Sequence, residues 1–190
     1  MPRLDPPTAL DAEQRRVHDA IVAGPRGKVE GPLGIWLHSP QLADRAQALG
    51  AFCRFGTLLE PRLSELAILV CGAAWKSGFE WAVHAPIGIS RGLDPEVVNS
   101  IRLGRDPQFE RNDEALVHDF TAMLLETRQI DDAIYNRAVG LLGERSVVEL
   151  VGIIGYYSFI CMTINTFKVS LPEGTEEPFL EASAREMQQP

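Results

Sequence analysis

A chain of 190 residues with 45% apolar and 23% charged positions can bury one sizeable core and has the composition of a globular protein, not a disordered one. A formal net charge of −8 and a pI near 5.0, with no basic stripe longer than Arg15-Arg16, exclude a nucleic-acid binder of the usual kind. Cys53, Cys71 and Cys161 are odd in number, widely spaced and each set in an apolar helical stretch. They read as free buried thiols in a reducing compartment.

The opening, MPRLDPPTALD, has no apolar core of a secretory signal. Asp11 with Gln14 forms a capping box, and Val17, Ala20 and Ile21 give the first helix its apolar face. The segment 24–34, GPRGKVEGPLG, is expected to be a loop, and a loop of that kind beside a site can act as a lid. Ser39-Pro40 is read as an N-cap with proline at the first helical position, opening a helix to about Arg54.

Pro61 starts the next helix, through LSELAILVCGAAW, until Gly78 interrupts the pattern. A further helix carries FEWAVHAPIGIS and ends at Arg91-Gly92; Pro86 inside it must kink it or free the carbonyl of Ala82. Asp94-Pro95, Asn112 and Asp131 open three more helices, and Gly143 closes the last of these. Ser146 with Glu149 reads as a capping box before a final apolar helix. Its longest apolar run, Leu150 to Ile164, is shorter than the roughly 20 residues of a bilayer span, so a core helix is expected. From Leu171 onward the chain is polar and acidic, a tail with at most one short helix. No stretch alternates as a strand would, so an all-α fold in a soluble, cytoplasmic protein without a membrane partner is expected. Glu-Leu ahead of an apolar helix occurs at Glu65 and again at Glu149, a weak internal echo that chance also produces.

Chemistry concentrates in ELAILVCGAAWKSGFEWAVH. Glu80 and His84 are four apart on one helix and so neighbours on its surface, and a carboxylate beside an imidazole fixes the tautomer that proton transfer needs. Ser77 falls on the same side, and Glu65, at the start of an apolar run, is at a helix edge or buried with a partner such as His84. A plainer reading competes. Ser77-Gly-Phe-Glu80 is a capping-box pattern, and Glu65 stands where the helix dipole favours acids. His18, His38 and His118 read as structural or solvated, and Trp75 and Trp81 as core or pocket wall. No P-loop, dinucleotide fingerprint or HExxH motif occurs, so neither a metal nor an organic cofactor is expected.

Glu65, followed by Ser77-x-x-Glu80-x-x-x-His84, resembles the core motif of the carboxymuconolactone decarboxylase and alkylhydroperoxidase D-like family. In the peroxidase branch Cys-x-x-Cys stands where this chain has Ser77 and Glu80; Phe79-Glu80 and His84 match the decarboxylase branch, which lacks the dithiol. The resemblance is sharpest over 61–93 and extends loosely to 155–174. It implies a single all-helical domain over 1–190 with a core (61–170) and a tail (171–190), to which this chain adds an N-terminal helical extension and loop (1–60) that the compact decarboxylases lack. It also implies assembly with copies of itself, as trimer or hexamer.

The function expected from this pattern is a cofactor-independent lyase acting on a small carboxylated lactone or related oxo-acid. His84 would carry the proton, Glu80 would orient it, and Glu65 would serve as a second acid-base or relay group. Arg62 is the candidate for gripping the substrate carboxylate, and Ser77 and Trp81 are further substrate-binding candidates. A thiol-dependent hydroperoxidase and a non-catalytic helical oligomer are the alternatives.

Overall fold

A computed structural model describes residues 1–180, and among them every regular element is an α-helix. In chain order these are α1 (Ala12–Ala23), α2 (Pro32–Trp36), α3 (Pro40–Phe55), α4 (Pro61–Ala74), α5 (Gly78–Ser90), α6 (Pro95–Arg102), α7 (Asn112–Thr127), α8 (Asp132–Leu142) and α9 (Glu144–Phe167). The hub is α4, which is apolar nearly all round and buries Leu63, Leu66, Ala67, Ile68, Leu69 and Cys71 among α5, α7 and α9. A helix without a polar face has to sit in the middle of a bundle. α9 presents Leu150, Ile153, Ile154, Tyr157, Ile160, Cys161 and Ile164 to that core at the 3–4-residue spacing of one helix face. Its length and apolarity would suffice for a bilayer, but 67% of its most apolar window is buried in the bundle, as a core helix requires.

The N-terminal helices belong to the same core through Val17, Ile21, Trp36, Ala43 and Cys53. The leading segment is tied down: the Arg3 N–H donates to the Phe167 carbonyl at 2.8 Å, and His38 Nε2–H donates to the Asp5 carbonyl at 2.8 Å. His18 and His118 each lie beside the aspartate that follows them, away from the motif histidine.

The expected caps at Asp11, Asp94 and Asp131 are made, and α5 runs on through Pro86 to end at Arg91-Gly92, with Gly92 at φ 100°. Four expectations need correction. Segment 24–34 is not loop throughout, because Gly31 at φ 56° turns the chain and Pro32 then opens α2. Ser39 occupies the N-cap position of α3 without a side-chain cap bond. Ser146 caps nothing: α9 begins two residues earlier at Glu144, and Glu149 instead accepts from the Leu58 N–H at 2.6 Å and from Arg145 Nε at 2.9 Å. Residues 171–180 are no free tail, since Phe179 is buried edge-on against Trp81 and the Pro178 carbonyl accepts from Arg102 at 2.7 Å. The remainder of the expected tail, 181–190, lies outside the described residues.

Gly50 shows how closely α3 meets α9. A β-carbon there would fall 2.0 Å from the Tyr156 hydroxyl oxygen and 2.4 Å from an Arg26 guanidinium nitrogen. Alanine gains up to about 1 kcal/mol over glycine inside a helix, whereas overpacking costs about 1–3 kcal/mol. Gly50→Ala is therefore expected to lower the melting temperature by a few degrees in a thermal melt, against the helix-propensity rule.

Candidate active site

α4 and α5 lie side by side and bring Glu65, Glu80 and His84 together, each at most 6% exposed. His84 Nδ1 is 2.6 Å from Glu65 Oε2. An ionised carboxylate can only accept, so Nδ1 carries the hydrogen and the Nε2 lone pair is free. Glu80 Oε1 stands 3.8 Å from Nε2, beyond hydrogen-bond reach, and one atom about 3 Å from both would complete the triangle. The two acids thus differ from the sequence expectation. The i,i+4 neighbour Glu80 does not orient the ring; the tertiary contact with Glu65 does.

Burial pushes the Glu80 carboxyl above its ordinary value, and the nearby charges of His84, Arg54 and Arg26 pull it only part of the way back. Tyr157, also wholly buried, sets its ring perpendicular to the imidazole with centroids 5.3 Å apart. His84 and Glu80 border a cavity of about 80 Å³, walled by Phe79, Val83, Tyr156, Tyr157 and Ile160, and closed by the α1–α2 segment through Arg26, Lys28, Glu30 and Leu33. At roughly 15 Å³ for each water centre, that admits about five waters or a small organic acid. A groove of about 800 Å³ between α4, α6 and α7 contains none of Glu65, Glu80 and His84.

The three candidate substrate-binding residues are not among those lining the cavity. Arg62 is engaged elsewhere, donating to Glu114, to Asp113 at 2.6 Å and to Glu60 at 3.3 Å, which ties α4 to α7. Trp81 packs into the core against Phe179. Ser77 is wholly buried at the start of α5, but its hydroxyl makes no cap bond; it lies against the Cys161 thiol and draws that group down against the effect of burial. The capping-box reading of Ser77 and Glu80 therefore fails. Arg26 and Arg54 line the cavity instead. Sequence reasoning passed over both, one in a glycine-rich segment and one in the last turn of α3.

Burial also sets the character of the thiols. It raises Cys53 to about 11 and Cys71 to about 12, and pushes Cys161 up as well. A thiolate nucleophile needs a lowered value and access to solvent. The folded protein is expected to leave all three unmodified by a disulfide-exchange reagent at pH 8, and to release all three on unfolding. Prompt labelling of a native thiol would contradict this. Among the described residues no group of three or more His, Cys, Asp and Glu side chains is placed to hold a metal ion.

No family model matches the chain, and no curated protein matches it. Among solved structures it is similar to an uncharacterized peroxidase-related protein from Silicibacter sp. TM1040, with a TM-score of 0.72 at 15% sequence identity, covering 90% of this chain and 92% of that one. The likeness shows the fold, an all-α arrangement consistent with the alkylhydroperoxidase D-like type that the Glu65, Glu80 and His84 motif implies.

Proposed function

We propose that the protein is a lyase of carboxymuconolactone decarboxylase type, acting by proton transfer on a small carboxylated lactone or oxo-acid in a cytoplasmic setting. The observation that carries this reading is the Glu65–His84 pair, which holds Nδ1 and leaves Nε2 on the side of Glu80, at a small cavity that His84 and Glu80 both line. In the proposed cycle the substrate carboxylate leaves as CO2, and its bonding electron pair passes into a conjugated carbonyl as a dienolate. Glu80, whose carboxyl burial raises, passes its proton through a bridging atom to Nε2, Nε2 delivers it to the carbon, and Glu80 then takes a proton back from solvent. Glu65 keeps the ring oriented and stabilises the imidazolium while it lasts.

The structural neighbour's name mentions a peroxidase, but here no thiol stands at Ser77 or Glu80 and the three that exist are buried and raised. The lyase reading is tested by following CO2 release from a panel of β-oxo acids and carboxylated unsaturated lactones. Catalysed release from at least one member is expected; none from any member would remove the decarboxylation step.

Self-association is part of the same proposal. α3 leaves Leu42, Leu49, Phe52 and Phe55 exposed, and α9, packed beside it, leaves Val148, Val151 and Met162 exposed. A second copy would cover them. Light scattering at micromolar concentration is expected to return a multiple of 21.0 kDa, and a monomer mass would overturn the claim.

A further inference from the structure

The cavity beside His84 has a charged end that the acid-base chemistry does not use. Arg26 reaches it from the α1–α2 segment and Arg54 from the last turn of α3. Neither has a carboxylate within ion-pair distance among the described residues. Arg26 makes one long hydrogen bond, Nη2–H to the Tyr156 hydroxyl at 3.4 Å, and its Nε is shut away from water with no partner. Arg54 has the ring of its neighbour Phe55, 5.2 Å from the guanidinium carbon, and the more distant charge of Glu80.

Several other arginines have no acid within ion-pair distance among the described residues, but they are exposed to water. A guanidinium N–H closed off without an acceptor is a different matter, because buried donors are almost always satisfied. The helix dipole of α3 favours a cation in its last turn and would explain Arg54 alone. It does not explain why a second arginine, from a separate element, faces the same cavity. Of the local acids, Glu30 at the rim is held by Lys28 at 2.7 Å, and Glu80, which feels the charge of both arginines, stays outside ion-pair distance of either among the described residues. Gly50 adds a third observation, since any side chain there would collide with both Arg26 and Tyr156.

We propose that Arg26 and Arg54 form a two-pronged grip for the carboxylate of a small organic acid, holding it at the charged end of the cavity while its carbon framework lies against Tyr156, Tyr157 and Ile160 toward His84. This assigns to Arg26 and Arg54 the role that Arg62, taken up by its own three acids, cannot fill, and it rests on reading the cavity as the substrate site. A carboxylate suits the pair because a planar two-oxygen anion accepts two parallel N–H bonds from a guanidinium fork. The aromatic and apolar walls favour an organic acid, with a carbon framework to lay against them, over a tetrahedral phosphate.

The test uses succinate as the probe, with succinamide and inorganic phosphate as comparison ligands, and reads the Nε–H resonances of Arg26 and Arg54 by ¹H–¹⁵N NMR. Succinate is expected to shift both resonances saturably, and succinamide neither. Arg26→Gln and Arg54→Gln should each weaken succinate binding roughly 10- to 100-fold. Arg26→Lys should retain part of it, which separates loss of the grip from loss of the fold. His84→Gln should bind succinate about as well as the parent. The proposal is overturned if succinate moves neither resonance, if the Gln variants bind it unchanged, if succinamide shifts both equally, or if phosphate binds more tightly. Failure of the grip and failure of the reaction are distinguishable. Catalysed proton exchange at carbon with both arginines unmoved would sink the grip alone. Succinate binding at both arginines without exchange in any tested acid would sink the role given to His84 alone.

Discussion

Replacing His84 with Gln is expected to lower turnover by roughly 10²–10⁴-fold, the scale of a general acid-base group, with little change in melting temperature. Stability survives because Gln still offers an N–H to Glu65, so the buried carboxylate keeps a partner. His84→Leu removes that partner and should cost about 3–5 kcal/mol, the scale for an uncompensated buried charge. Glu65→Gln keeps an acceptor for Nδ1 and should reduce turnover less than His84→Gln does. Glu80→Gln separates activity from stability in another way. Because burial raises the Glu80 carboxyl, the folded state holds its proton more tightly than the unfolded chain. Its contribution is therefore favourable below the unfolded value of about 4.3 and is lost as pH rises through the folded value. At pH 7 Gln at this position should leave the melting temperature equal or higher while turnover falls. A purely structural motif would show the reverse: lower melting temperatures and no selective loss of rate.

The second large effect is expected at Arg62, in stability rather than in rate. Its guanidinium joins α4 to α7 through Glu114, which is buried, and Asp113, and it also meets Glu60 at the head of α4; Asp113 and Glu60 keep contact with water. Arg62→Leu strands Glu114 and should cost on the order of 2–4 kcal/mol, below the top of the usual range because the other two acids remain hydrated. For a chain of this size that lowers the melting temperature by roughly 5–15 °C, as calorimetry would measure. Arg62→Leu combined with Glu114→Leu should recover most of the loss, since no buried charge is then left alone. The effect has a pH signature. Burial alone would raise the Asp113 carboxyl, but the hydrogen bond and charge of Arg62 more than offset this and hold it below its ordinary value. Its contribution is complete above the unfolded value of about 3.9 and is lost as pH falls through the folded value. The gap between parent and Arg62→Leu should therefore narrow in acid below about pH 4. A constant gap would place the energy elsewhere.

What could be read from the sequence follows the range of each signal. The helices were legible because their cues are local: aspartate caps at residues 11, 94 and 131, the terminating Gly92 and Gly143, and the apolar faces of α4 and α9. The cluster of Glu65, Glu80 and His84 was legible as a set, but helical spacing favoured Glu80 as the partner of His84. Only the packing of α4 on α5 brings Glu65 to Nδ1. Arg62 looked available because its acids lie some fifty positions along the chain, at Asp113 and Glu114. Arg26 and Arg54 carried no pattern at all, since they meet only where α1–α2 folds over the end of α3 beside α9. Ser146 misled for a local reason: Gly143 at φ 80° ends α8 and starts α9 in the same turn, which leaves Ser146 inside the helix.

The central claim is that His84 moves a proton to and from carbon in the cavity it shares with Glu80. Deuterium exchange tests it whatever the net reaction is. The protein is incubated in D2O with the panel of oxo-acids and carboxylated lactones, and ¹H NMR follows loss of signal at carbons activated by a carbonyl, or deuterium entering a decarboxylated product. The parent protein is expected to catalyse deuterium incorporation into at least one acid, and His84→Gln to do so at least 100-fold more slowly. Incorporation at equal rates by the parent and a folded His84→Gln variant would contradict the account, as would a panel in which the parent exchanges nothing.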